Sequence, residues 1–127
     1  MNTSEAFENI TISMLASMPN ERLNMLAYGV IGLDTEGIVL TYSATEARKA
    51  GLDREAVLGR SFFEEVGQCM NNFMVAQRFE DAQEQGTLLD ATIDYVLTLR
   101  MRPIKVALRL IAVPGASVRY VLVRRQK

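Results

Sequence analysis

The chain has 127 residues, of which 49% are hydrophobic and 23% charged, with a net charge of −1, one cysteine and no histidine. One ordinary domain takes roughly 100 to 200 residues, so a second has no room, and the composition favours a packed core over disorder. A single cysteine excludes an internal disulfide, and the lack of histidine removes the commonest metal ligand and acid–base group, which sets aside most hydrolytic and metal chemistry.

No apolar run approaches the ~20 residues of a membrane span, and the opening Met-Asn-Thr-Ser-Glu has neither the basic nor the apolar section of a signal peptide, so a cytoplasmic location is expected. Gly29 and Gly32 are isolated, without the spacing of a phosphate-binding loop. Charge is unevenly spread. Residues 1–95 hold all 15 acidic and six basic residues, a net of −9, whereas residues 96–127 hold eight basic residues and no acidic one. The expected origin of this basic strip is a solvated sheet face balanced by acidic segments folded against it. No helix-turn-helix or zinc-finger pattern points to nucleic acid.

In chain order, Phe7, Ile10, Met14 and Met18 recur at helical spacing behind Ser4, a candidate N-cap, until Pro19 and Asn20 interrupt. With a short turn over Glu21 to Met25, residues 1–25 read as an amphipathic helical cap over a core formed by residues 26–127. Tyr28 to Leu33, a turn over Asp34 to Gly37, and Ile38 to Tyr42 form a predicted β-hairpin. Short helical pieces follow, punctuated by Gly51, Gly59 and Gly67. Asn72 is placed to cap a helix running to about Gln85, with Phe73, Ala76 and Phe79 on one face and Gly86 as its stop.

Three strand patterns close the chain. Ile93, Tyr95, Leu97, Leu99 and Met101 alternate at period two, Val106, Leu108 and Leu110 continue after Pro103, and Val118 to Val123 ends the sheet. Arg100, Arg102, Arg109 and Arg119 mostly alternate with the apolar residues, which predicts one charged or covered face. The fold class is α+β: a five-stranded antiparallel sheet with helices on one face and an N-terminal helical cap.

From Leu26 the run Leu-Ala-Tyr-Gly-Val-Ile-Gly-Leu-Asp, then Gly37, Tyr42, Ala44, Glu46, Gly51, Asp53, Val57, Gly59, Phe62, Phe63, Val66 and Cys69 follow without a gap the pattern of the photoactive yellow protein family. The chain resembles that family over nearly its whole length. The resemblance implies a PAS fold and a blue-light receptor that is not an enzyme. Its cofactor would be p-coumaric acid, bound covalently as a thioester on Cys69. Glu46 would stay protonated through burial and donate a hydrogen bond to the chromophore phenolate, with a second from the Tyr42 hydroxyl. The implied pocket also takes in Ala50, Leu52, Phe62, Val66, Tyr95 and Met101.

Light absorption would then bring trans-to-cis isomerisation, proton transfer from Glu46 and partial unfolding, because a carboxylate left buried without its partner costs several kcal/mol. The cap is the element expected to detach. Departures from the family concern the supports of the site. Ala50 and Leu52 stand where the best-known members have a threonine and an arginine, the segment Gln68 to Met74 is less polar, and Leu99 replaces a frequent tyrosine. These differences predict an altered absorption maximum or recovery.

From the residues alone, Cys69 reads as a small buried core residue and Glu46 as a solvent-facing helix residue. The alternative function is a non-photochemical sensor or docking module whose pocket takes a small apolar ligand or whose cysteine responds to oxidation. Either way the output passes to a separate, unknown downstream protein. No nucleic acid or membrane partner is expected, and the chain is expected to be a monomer or weak dimer.

Overall fold

The computed structural model describes residues 3–98 and 102–125. Five strands, β1 (Gly29–Leu33), β2 (Val39–Tyr42), β3 (Leu89–Leu97), β4 (Ile104–Ala112) and β5 (Arg119–Arg125), form one antiparallel sheet in the order β2-β1-β5-β4-β3. Every residue of β1 is buried, since it has a strand on each side and a layer over each face; this is why it reads as an unbroken apolar run. The edge strand β3 alternates exposed with more buried residues, as the period-two pattern requires. Leu99, Arg100 and Met101 lie outside the described residues.

The two faces have separate cores. Ile31, Leu33, Leu108, Leu110, Val121 and Val123 point toward α4 (Arg54–Val57), a π-helical turn at Phe62–Val66 and α5 (Ala76–Gln85). Their neighbours Val30, Ala107, Ile111, Tyr120 and Leu122 point the other way, onto Phe7, Ile10, Leu15, Leu23 and Leu26 of the N-terminal segment. The cap and the later helices thus cover opposite faces. No described helix is long and apolar enough to cross a membrane.

The cap departs in detail from its predicted helix. Thr3–Glu5 is a 3-10 turn, and the first α-helix, α1 (Ile12–Ser17), starts behind Thr11, whose hydroxyl accepts from the Met14 N–H at 3.2 Å. The reason lies on the sheet. Arg109 of β4 donates from Nη1 to the carbonyls of Phe7 (2.9 Å) and Ile10 (2.7 Å), which draws those groups out of a helical ladder. Its Nε and Nη2 hold both oxygens of Asp90, each at 2.9 Å. Tyr28 donates to the Glu5 carbonyl at 2.6 Å, and burial, helped by the charge of Glu5, pushes its phenol up to about 12.

After Pro19 comes α2 (Asn20–Leu23), and Asn24 then ties the cap to α3 (Ala44–Ala50). Its Oδ1 accepts from the Ala44 N–H at 2.8 Å, while the Thr45 hydroxyl donates to the Leu26 carbonyl at 2.7 Å.

Two more expectations need correction. The helix expected from Asn72 begins at Ala76, because the Asn72 side-chain oxygen Oδ1 instead closes a turn on the N–H groups of Met74 and Val75. Phe73 therefore precedes the helix and is 78% exposed rather than sharing its buried face. The basic strip is solvated only in part, at Arg102, Lys105 and Arg124 among the described residues. Arg109 and Arg119 are buried on opposite sides of the sheet, although the acidic balance is real: Arg109, Arg124 and Arg125 pair with Asp90, Glu8 and Glu46.

Candidate functional site

Cys69 sits in the turn between the π-helical segment and α5, in a 3-10 turn at Gln68–Met70. The entry to that turn is Gly67, where a Cβ would lie 2.6 Å from the Phe62 ring, so the backbone and the ring pack closer than any side chain permits. The thiol is half-buried at the edge of the helix-face core. Its backbone is fixed from the sheet: the Tyr95 hydroxyl donates to the Cys69 carbonyl, and Asn72 Nδ2 donates to that carbonyl at 3.1 Å and to the Tyr95 oxygen at 2.6 Å. Beside Cys69 lies an open cavity of about 750 Å³, walled among the described residues by Met74, Asp94, Tyr95, Val96, Thr98, Lys105 and Val106. A volume in the ~300–1,000 Å³ range suits a small-molecule ligand.

Glu46 has a different setting. Ser43 caps α3 with its hydroxyl, which accepts from the Glu46 N–H at 3.3 Å and from Val30 N–H at 3.0 Å. A glutamate three residues after a serine cap commonly reaches back to the cap's own N–H. Here the Ser43 N–H donates to the Val30 carbonyl, so the carboxylate is free to turn inward. It turns over Gly29, where a Cβ would stand 2.1 Å from Glu46 Oε1; only glycine leaves that notch in β1. There Glu46, 4% exposed, meets Arg125, whose Nη1 and Nη2 donate to its two oxygens at 2.7 and 3.0 Å.

That pairing is a contact of Glu46 that the sequence did not announce. β5 delivers a guanidinium to both oxygens, a bidentate arrangement that fixes where the carboxyl group points. Burial opposes the charge on Arg125, yet the hydrogen bond and charge of Glu46 outweigh it and raise Arg125 above its usual range. Tyr42 is 2% exposed and held well above the ordinary phenol range, first by burial and then by the negative charge of Glu46. Its hydroxyl is therefore a proton donor. Its carbonyl accepts from Arg54 Nε at 2.8 Å, which pins the end of β2 to α4.

Tyr42 and Phe62 are core residues of the helix face, and Leu52, Val66, Cys69 and Tyr95 pack against that same core. The structure brings these six together. Of them, Cys69 and Tyr95 line the cavity; Tyr42, Leu52, Phe62 and Val66 do not, and neither does Glu46. Ala50 ends α3, half-buried and outside the core cluster, and Met101 lies outside the described residues. Sequence reasoning missed Arg125 and Gly29. The pair spans 79 residues, which no local spacing reveals, but a glycine within an apolar strand run is itself a sign of close approach.

A family description, PAS fold, matches residues 17–125. The chain is 39% identical to a photoactive yellow protein from Halochromatium salexigens and 33% identical to one from Rhodothalassium salexigens. Each alignment runs over 92 residues, 72% of this chain and 73% of the relative. Among solved structures, the photoactive yellow protein domain of the sensor histidine kinase Ppr from Rhodospirillum centenum superposes with a TM-score of 0.81 at 32% identity, covering 88% of this chain and 97% of that one. The family match, the identity over these spans and the superposition agree, and the chain is a divergent member of the photoactive yellow protein family, a sensory PAS domain.

Proposed function

We propose that this protein is a blue-light receptor that holds p-coumaric acid as a thioester on Cys69. The observation that carries the reading is the place of the thiol: half-buried on the core that contains Tyr42, with its backbone fixed by Tyr95 and Asn72, and facing a cavity large enough for a cinnamoyl group. Acylation needs an activated p-coumaroyl thioester; the Cys69 sulfur attacks its carbonyl carbon and the carrier thiol leaves. When bound, the group supplies light absorption and trans-to-cis isomerisation.

The protein's own residues supply the rest. Tyr42 offers a neutral hydroxyl as donor, since its proton is held by burial. Glu46 is less simple than the family pattern implies. Both its oxygens are engaged by Arg125, so it carries a proton only when at least one of those bonds is released. Arg125 also brings a positive charge beside Tyr42, where a buried anion gains from it. The output passes through the cap to a separate protein, because Asn24 and Leu26 connect the cap to the helix that bears Glu46.

The test is incubation of the full chain with activated p-coumarate, followed by intact-mass and peptide analysis. The expected result is one adduct on Cys69, none on Cys69→Ser, and a visible band that bleaches under blue light. An unmodified Cys69 with no band overturns it. A second reading, a sensor of another small apolar ligand, draws on the closed Glu46–Arg125 pair and the separate Cys69 cavity. It predicts stabilisation by such ligands without a light response.

A further inference from the structure

Arg119, the first residue of β5, is buried on the helix face at 8% exposure, yet it has none of the satisfaction that Arg109 has. Its Nε is buried without a hydrogen-bond partner, and no ion pair among the described residues includes it. Its guanidinium carbon lies 6.0 Å from the centre of the Phe79 ring, a weak compensation for a desolvated cation. Asp34 is the acidic group that acts on it, but Asp34 Oδ1 is committed to the Glu36 and Ile38 N–H groups of the hairpin turn.

Two cavities, of about 250 and 280 Å³, meet at Arg119, Thr35 and Gln83. Each is below the ~300–1,000 Å³ of a drug-sized site, so an occupant is small. The lining of the first is mixed: Arg119 lies among its apolar walls Phe63 and Phe79, and the exposed carboxylates Glu36, Glu64 and Glu80 also line it. A lone anion satisfies Arg119 but is repelled by three carboxylates, and a lone cation meets the reverse conflict. A molecule with a carboxylate and an ammonium on adjacent atoms satisfies both.

We propose that the cavity at Arg119 binds a free α-amino acid, its carboxylate on the guanidinium, its ammonium toward Glu36, Glu64 and Glu80, and its side chain against Phe63 and Phe79. The site is separate from Cys69 and does not depend on chromophore attachment. The experiment is calorimetric titration and thermal-shift measurement of the full chain with each common amino acid, alongside acetate, ethylamine and inorganic phosphate.

The expected result is saturable binding of at least one amino acid, with no comparable binding of the three single-charge or phosphate probes. Arg119→Met weakens it at least roughly tenfold, as loss of a hydrogen bond to a charged group does. Glu64→Gln, at an exposed position, weakens it only about two- to fivefold. Glu80→Gln serves as a further variant should Arg119→Met fail to fold, and Cys69→Ser leaves the affinity unchanged. Absence of saturable binding by any amino acid overturns the proposal, and so does equal binding of acetate or phosphate, which marks a plain anion site.

Discussion

The cap face and the helix face of the sheet each bury an arginine, and they treat it in opposite ways. Arg109, 7% exposed, spends its guanidinium on the Phe7 and Ile10 carbonyls and both oxygens of Asp90. Arg119, 8% exposed, has a buried Nε with no partner. A satisfied buried cation fixes one arrangement of the chain, because moving the cap strips it of its acceptors; an unsatisfied one leaves the face receptive to something else. The cap face is built as a latch, and the helix face carries Cys69, the Glu46–Arg125 pair and the unsatisfied Arg119.

If that contrast is right, Arg109→Met is the most damaging change. It leaves two cap carbonyls and Asp90 without their donor, and the expected cost is about 3–5 kcal/mol in chemical denaturation. Limited proteolysis should then cut within the cap while the sheet stays protected; uniform loss of protection throughout the chain would break the comparison. Arg119→Met, by contrast, removes an unpaired cation and should cost little in the absence of ligand.

Glu46→Gln comes next. It leaves Arg125 facing a neutral amide, with an expected loss of about 1.5–3 kcal/mol, the range of hydrogen bonds to charged groups. Arg125→Met should cost a similar amount, and the double variant should cost less than the two singles together, since neither charge is then stranded. Additive losses would mean that the pair does not act as a unit.

The smallest effect is the response of the latch to acid. Hydrogen bonding to Arg109 lowers the Asp90 pKa against the opposing effect of burial. A depressed folded value means that the stabilisation is complete above the unfolded aspartate pKa of about 3.9 and is lost as pH falls through the lower folded value. Stability measured across that window should fall in the wild type and more shallowly in Asp90→Asn. Identical slopes would show that Asp90 contributes nothing to the latch.

Backbone periodicity made most of the fold legible. The alternation through Ile93, Tyr95 and Leu97 and the unbroken run at β1 correctly announced strands, though not which lay at the edge and which inside. Long-range polar contacts were invisible. Nothing near Phe7 signals that an arginine 102 residues on claims its carbonyl, so the start of α1 was misjudged. Nothing near Glu46 signals Arg125 either, since the two lie 79 residues apart. Phe73 was misplaced because the Asn72 side chain closes a turn where a helix cap was expected. Cys69, Tyr42 and Glu46 stood out only through a family register, since a lone cysteine, a strand-end tyrosine and a helical glutamate are ordinary by themselves.

The bond from Asn24 to the first turn of α3 makes the cap and the Glu46 helix a linked pair. Linkage is reciprocal: whatever free energy a ligand gains by holding α3 in place also favours the docked cap by the same amount. A protein that captures the undocked cap must therefore weaken retention of anything that leans on Glu46. Under the proposed function, a downstream partner that binds the free cap would thus act on the receptor as much as it listens to it, with its concentration shifting the balance between docked and undocked cap.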